Sequence, residues 1–186
     1  ELKQHVRDSD VVVVLLTKRF FERPWCLVEM VTAVEEEKPL IVLRVIGPTC
    51  GDPAQMETTL SDLDEILAQN NPRAEAVLQE HLGKTPLEVG AMLKPQLTRA
   101  PVLKFAAQGG EAGIQTQVSL LAREIAVLTE FEGNQIVAEM GRAAGSFPSE
   151  GKLGIPAGRY ICVVNAVEVA NEVPRLQEWL VKHTDL

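Results

Sequence analysis

Glu29 is the side chain with the most chemical potential in this sequence. It closes the segment Trp25-Cys26-Leu27-Val28-Glu29, which lies between two apolar runs, Val11–Leu16 and Leu40–Ile46. In open α/β sheets the crevice beyond the carboxyl ends of the strands is where ligands bind. A carboxylate there can accept hydrogen bonds from hydroxyl groups or stabilise developing positive charge. The plainer role for Glu29 is to complement a helix dipole from the early turns, an effect of about 0.3–1 kcal/mol. Cys26 is the one candidate nucleophile nearby, because helix N-termini depress thiol pKa values, but no histidine neighbours it in sequence. Packing is the better reading for Trp25 and Cys26, as apolar groups that pin the helix start against a sheet. His5, His81 and His183 are isolated and match no metal-ligand spacing, so they read as solvated surface and no metal site is expected. Gly109-Gly110-Glu111-Ala112-Gly113 has neither the GxGxxG order nor the GK[ST] ending of a phosphate loop and reads as a turn. Glu35-Glu36-Glu37 reads as a solvated helix end that a basic partner could also use.

These residues must be positioned by alternating strands and helices. Val11-Val12-Val13-Val14-Leu15-Leu16 is an unbroken, mostly β-branched run, the pattern of a strand buried on both faces in a parallel sheet. Pro24 suits a first helical turn, and Leu27, Val31 and Val34 recur at helical spacing, which predicts a helix from about Pro24 to Glu37. Leu40–Ile46 is a second strand, stopped by Gly47-Pro48. A strand, helix, strand unit of this kind is parallel and right-handed. Further on, Leu60, Leu63, Ile66 and Leu67 predict an amphipathic helix, with Ser61 or a nearby threonine as its N-cap and Asn70-Asn71-Pro72 as its end. A short helix is predicted over Ala74–Leu82, stopped by Gly83. Lys84–Ala100, with Pro86, Gly90 and Pro95, reads as irregular or weakly helical. Pro101–Ala106 is a third strand. Thr116–Phe131 is the most regular amphipathic helix, and Gln135–Ala144 could continue it. Ser146–Gly158 is rich in proline and glycine and reads as a linker or long loop. Arg159–Asn165 is a fourth strand, and Glu172–His183 a final amphipathic helix.

At 186 residues the chain is long enough for one buried core, and its 46% hydrophobic and 24% charged composition is that of a globular protein. No apolar run reaches the roughly 18–20 residues a membrane span needs. A formal charge of −8 without a dense lysine and arginine cluster argues against nucleic acid as a partner. Three cysteines, Cys26, Cys50 and Cys162, cannot form a closed disulfide framework, and a cytoplasmic or other reducing intracellular compartment is expected. Glu1–Asp10 has no signal-peptide core, and the chain starts without methionine, as a processed product or an excerpt would.

The segment Asp8–Val45 resembles a TIR domain, the flavodoxin-like signalling module of innate-immunity receptors and bacterial defence proteins. The resemblance is carried by Ser9-Asp10 and the apolar run through Thr17, by Phe20-Phe21, and above all by Trp25-Cys26-Leu27-Val28-Glu29 followed by the strand Leu40–Leu43. It implies a flavodoxin-like three-layer α/β fold with a mainly parallel, four-stranded sheet. In the family this block is preceded by two strands with their helices, whereas here only Glu1–Val6 precedes it, similar to the tail of the second helix. The front strands are therefore missing or supplied from the C-terminus, where Tyr160–Val164 and Leu176–Leu180 are similar to the opening of a TIR domain. The chain accordingly divides into a TIR-like α/β segment over 1–145, a linker or long loop over 146–158, and a strand-helix unit over 159–186. That last unit is a permuted first strand or the start of a second repeat. The resemblance implies a protein-interaction module in signalling, a scaffold working by self-association or within a larger assembly, with no firm cofactor. It also implies an alternative, NAD+ hydrolysis with release of nicotinamide, in which NAD+ is the substrate and Glu29 the catalytic glutamate.

Overall fold

A run of six residues that is apolar at every position can be satisfied only if both of its faces are covered, and that demand organises the molecule. The computed structural model describes residues 2–47, 50–106, 110–128 and 161–164. The elements in chain order are α1 (Leu2–Asp8), β1 (Val11–Leu16), a 3-10 turn (Phe20–Glu22), α2 (Pro24–Glu35), β2 (Leu40–Val45), α3 (Met56–Ser61), α4 (Leu63–Asn70), α5 (Ala74–Leu82), α6 (Pro86–Arg99), β3 (Val102–Phe105), α7 (Gly110–Leu128) and β4 (Ile161–Val164). The strands β3, β2 and β1 form a parallel sheet, with Val12 opposite Leu40 and Val42 opposite Val102. β4 pairs in parallel with the other side of β1, Val11 opposite Ile161, so the strand order is β3-β2-β1-β4. Side chains alternate between faces along a strand. Val12, Val14 and Leu16 of β1 and Leu40 and Val42 of β2 join one apolar cluster with Val6 of α1, Leu27, Met30 and Val31 of α2, and Val89, Leu93 and Leu97 of α6. The alternate residues Val11, Val13, Leu15, Ile41 and Leu43 are buried just as fully. The expected α/β architecture with a parallel sheet is therefore observed.

α2 links the sheet to the other helices. Pro24 occupies its first turn, where a missing N–H costs nothing, and seven of its twelve residues are buried, because it packs against α1, α5 and α6 as well as the sheet. It ends at Glu35, two residues before the expected limit, and Glu37 follows in a left-handed conformation, φ 52°. α1 is closed by Ser9, whose Oγ donates to the Val6 carbonyl at 2.7 Å.

Three expectations are corrected between β2 and α7. The helix expected around Leu60–Leu67 is two helices that break at Asp62, and Ser61 is not a cap: its hydroxyl donates back to the Glu57 carbonyl at 2.9 Å. The stretch 84–100, read as irregular, holds the fourteen-residue helix α6. Thr85 and Glu88 form a capping box, in which each satisfies a backbone N–H of the other, and Pro86 sits in the first turn. Gly90 is not a helix breaker there but a point of close approach. A Cβ on it would lie 2.1 Å from the Leu60 carbonyl oxygen of α3. Finally, the glycine-rich segment before Gln115 is not wholly a turn, since α7 begins at Gly110. Its start is tied to the end of β3 by Gln117, whose Oε1 accepts from the Ala106 N–H while its Nε2 donates to the Gly113 carbonyl at 2.8 Å. The expectations for 135–144, 146–158 and 172–183 lie outside the described residues.

Candidate functional site

The site is built where β1 ends and α2 begins. Thr17 follows the last residue of β1, and the 3-10 turn over Phe20–Glu22 reverses the chain into α2. Phe20 and Phe21 are buried there, packed edge to face with ring centroids 5.2 Å apart, and they fix the turn by burial. Asn71, which ends α4, donates from its side chain to the Glu22 carbonyl at 3.0 Å and ties the helical layer to the same turn. The segment after β2 folds back over the strand ends. Cys50 bridges Thr17, and the Gly51 N–H donates to the Leu16 carbonyl at 3.2 Å. A Cβ on Gly51 would lie 2.8 Å from both Leu16 Cγ and the Thr17 carbonyl oxygen, so only glycine allows this approach. At the end of β2, Arg44 Nε donates to Cys50 Sγ at 3.2 Å, and this hydrogen bond holds its guanidinium pKa up.

Glu29 lies in the second turn of α2, about 8 Å along the axis from Pro24. It is half-buried, and burial alone pushes its carboxyl up from an ordinary 4.5 to about 7. No described residue forms a hydrogen bond or ion pair with it. A glutamate placed only to complement a helix dipole would be solvated in the first turn, where that effect is confined; Glu29 is neither. A carboxyl near half-protonation at neutral pH can exchange a proton or hold positive charge, and such groups concentrate at functional sites.

The structure separates Trp25 from Cys26. Cys26 is buried at the helix start, as expected, and its thiol is pushed up to about 12, first by burial and then by the neighbouring Glu29 charge. It stays protonated at neutral pH, which removes the nucleophile reading. Trp25 does not pin the helix to the sheet. It is 45% exposed, because neighbouring helix positions differ by about 100° and Cys26 takes the inward one. Its indole instead lies beside the His81 ring, centroids 4.6 Å apart. His81 is therefore not a free surface residue: it is half-buried at the end of α5, and its carbonyl accepts from Lys3 Nζ. Trp25 and Glu29, four residues apart, share one helix face. Glu35 and Glu36 are solvated as expected, each with an ion pair: Glu35 with Lys84 at 3.3 Å, Glu36 with Arg7 at 2.9 Å.

The TIR domain family model matches residues 1–47. Those residues match part of a TIR domain. The match runs from α1 through β1 and α2 to the end of β2, 47 of the 186 residues, and contains Trp25, Cys26 and Glu29. A search of the curated proteins and a search of the solved structures each found no match. Within the TIR segment, one buried polar group escaped the sequence reading. Thr17 is 2% exposed, and its hydroxyl has no hydrogen-bond partner among the described residues. An unmet buried hydroxyl costs about 1–3 kcal/mol. It sits at the carboxyl end of β1, and nothing in a threonine after an apolar run distinguishes it beforehand. No group of three or more His, Cys, Asp or Glu suited to a metal assembles among the described residues, and none of their helices is long and apolar enough to cross a membrane.

Proposed function

We propose that this chain is a TIR-like interaction module of signalling, which works by docking to other copies or into a larger assembly and does no chemistry of its own. The observation that carries this reading is the TIR match over α1, β1, α2 and β2. The parallel sheet is consistent with a flavodoxin-like frame of three layers, and the pairing of Val11–Val14 with Ile161–Val164 supports a permuted first strand returning from the C-terminal unit. In that arrangement 1–145 and 159–186 share one sheet across the 146–158 linker. Neither Cys26 nor Cys50 is in a disulfide, which supports a reducing, intracellular setting. Sedimentation of the 186-residue chain over a range of concentrations tests the reading: concentration-dependent association supports it, and a strictly monomeric chain that joins no assembly counts against it.

A second reading is favoured by the half-burial of Glu29. In NAD+ hydrolysis, water adds to the anomeric carbon of the ribose as the bond to nicotinamide breaks, giving ADP-ribose, nicotinamide and a proton. Glu29 would hold a ribose hydroxyl and, ionised, stabilise the oxocarbenium-like charge of that step. With its carboxyl near 7, the rate would rise with pH from 6 to 8. Glu29→Gln keeps the shape and removes the charge, so hydrolysis would fall by orders of magnitude while an interaction module would be indifferent.

A further inference from the structure

A cavity of about 320 Å³ opens between α4, α5 and the start of α6, lined by residues outside the TIR match. Leu67, Ala68, Pro86 and Leu87 give it apolar walls, and two carboxylates, Asp64 and Glu75, stand at it with no lysine, arginine or histidine among its lining residues. Neither acid forms a hydrogen bond or ion pair with any described residue. Asn71, the cap that ends α4, also lines the cavity, and the carboxyl end of a helix adds partial negative charge. At the start of α6 the opposite dipole is already answered by the Thr85–Glu88 capping box. Leu87 is 58% exposed at the rim.

We propose that this cavity seats an arginine or lysine side chain presented by a partner protein, its aliphatic stem on the apolar walls and its cationic head on Asp64 and Glu75. Long basic side chains bury their stems against apolar surface while the head stays paired, and the volume lies at the small end of ligand pockets, about 300–1,000 Å³. The partner is a basic protein, because the cavity presents two carboxylates with no basic residue in its lining and opposite charge steers such a partner to it. This inference rests on the interaction-module reading and names the chemistry of its partner.

The test is a titration of the nitrogen-15-labelled 186-residue chain with a blocked hexapeptide of glycine, leucine and one arginine. The same peptide with citrulline, butylguanidinium alone, and an Asp64→Asn/Glu75→Gln chain serve as controls. The expected result is amide shifts concentrated on the cavity residues, weakened about 10-fold or more by citrulline or by the double substitution, with thermal unfolding unchanged. Absent binding, shifts spread over other acidic surface, or equal binding by the double variant would overturn the proposal. Sedimentation and a nicotinamide-release assay separate the two claims. A chain that associates or joins an assembly but ignores the peptide refutes the cavity proposal alone, and nicotinamide release that is lost in Glu29→Gln refutes the non-catalytic module reading alone.

Discussion

The segment matched by the TIR model, 1–47, and the helical region that follows it, α3 to α6, share one apolar cluster but differ in what sets the limits of their elements. In the first, the apolar pattern sets the elements: β1 is covered on both faces and α2 is buried along most of its length. In the second, single positions decide where helices start, break and cross, as Thr85, Asp62 and Gly90 show. One region is specified by the pattern of many residues and the other by the identity of a few.

The largest expected effect breaks the first region. Leu27 is fully buried in the cluster that joins α2 to the sheet, so Leu27→Ala should cost about 2–5 kcal/mol, read as a fall in the denaturant midpoint with unchanged slope. Gly90→Ala probes the second region at its tightest contact, where the new Cβ would meet the Leu60 carbonyl at 2.1 Å. A loss of about 1–3 kcal/mol is expected, although alanine is the better helix former by about 1 kcal/mol; a stabilised Gly90→Ala protein would show that α6 and α3 do not cross closely.

Glu29 is an ionisable group held half-buried within the first region. Its folded pKa, about 7, is above the ordinary 4.5, so the folded state holds the proton more tightly. Its contribution is fully present below about 4.5 and is lost as pH rises through about 7. Glu29→Gln should therefore raise stability by about 1–2 kcal/mol at pH 8, after allowance for partial solvent access, and leave it nearly unchanged at pH 4. Paired denaturation curves at the two pH values check this, and equal effects at both would show Glu29 to be an ordinary solvated carboxylate. The smallest effect belongs to a cap: Thr85→Ala should cost about 1 kcal/mol, visible in thermal unfolding and in faster amide exchange of the first turn of α6.

The contrast also explains what the sequence makes legible. The apolar runs at Val11 and Leu40 and the helical spacing of Leu27, Val31 and Val34 announce β1, β2 and α2 almost residue by residue, because burial writes itself as periodicity. α6 was hidden because Pro86, Gly90 and Pro95 look like breakers when counted together. The Thr85-x-x-Glu88 box was the available signal, while the need for glycine at position 90 depends on a carbonyl thirty residues earlier. The site was half legible. Glu29 stood out by its place between the strands, but its burial, the exposure of Trp25 beside His81 and the unmet hydroxyl of Thr17 all depend on neighbours distant in sequence.

On the proposed reading, residues 1–47 serve docking and not chemistry. The most direct measurement is nicotinamide release from NAD+ by the folded chain and its Glu29→Gln form, at high protein concentration so that association can complete any shared pocket. No release from either protein is the expected result. Release by the parent chain that disappears in Glu29→Gln would contradict the claim and make Glu29 the catalytic glutamate of an NAD+ hydrolase.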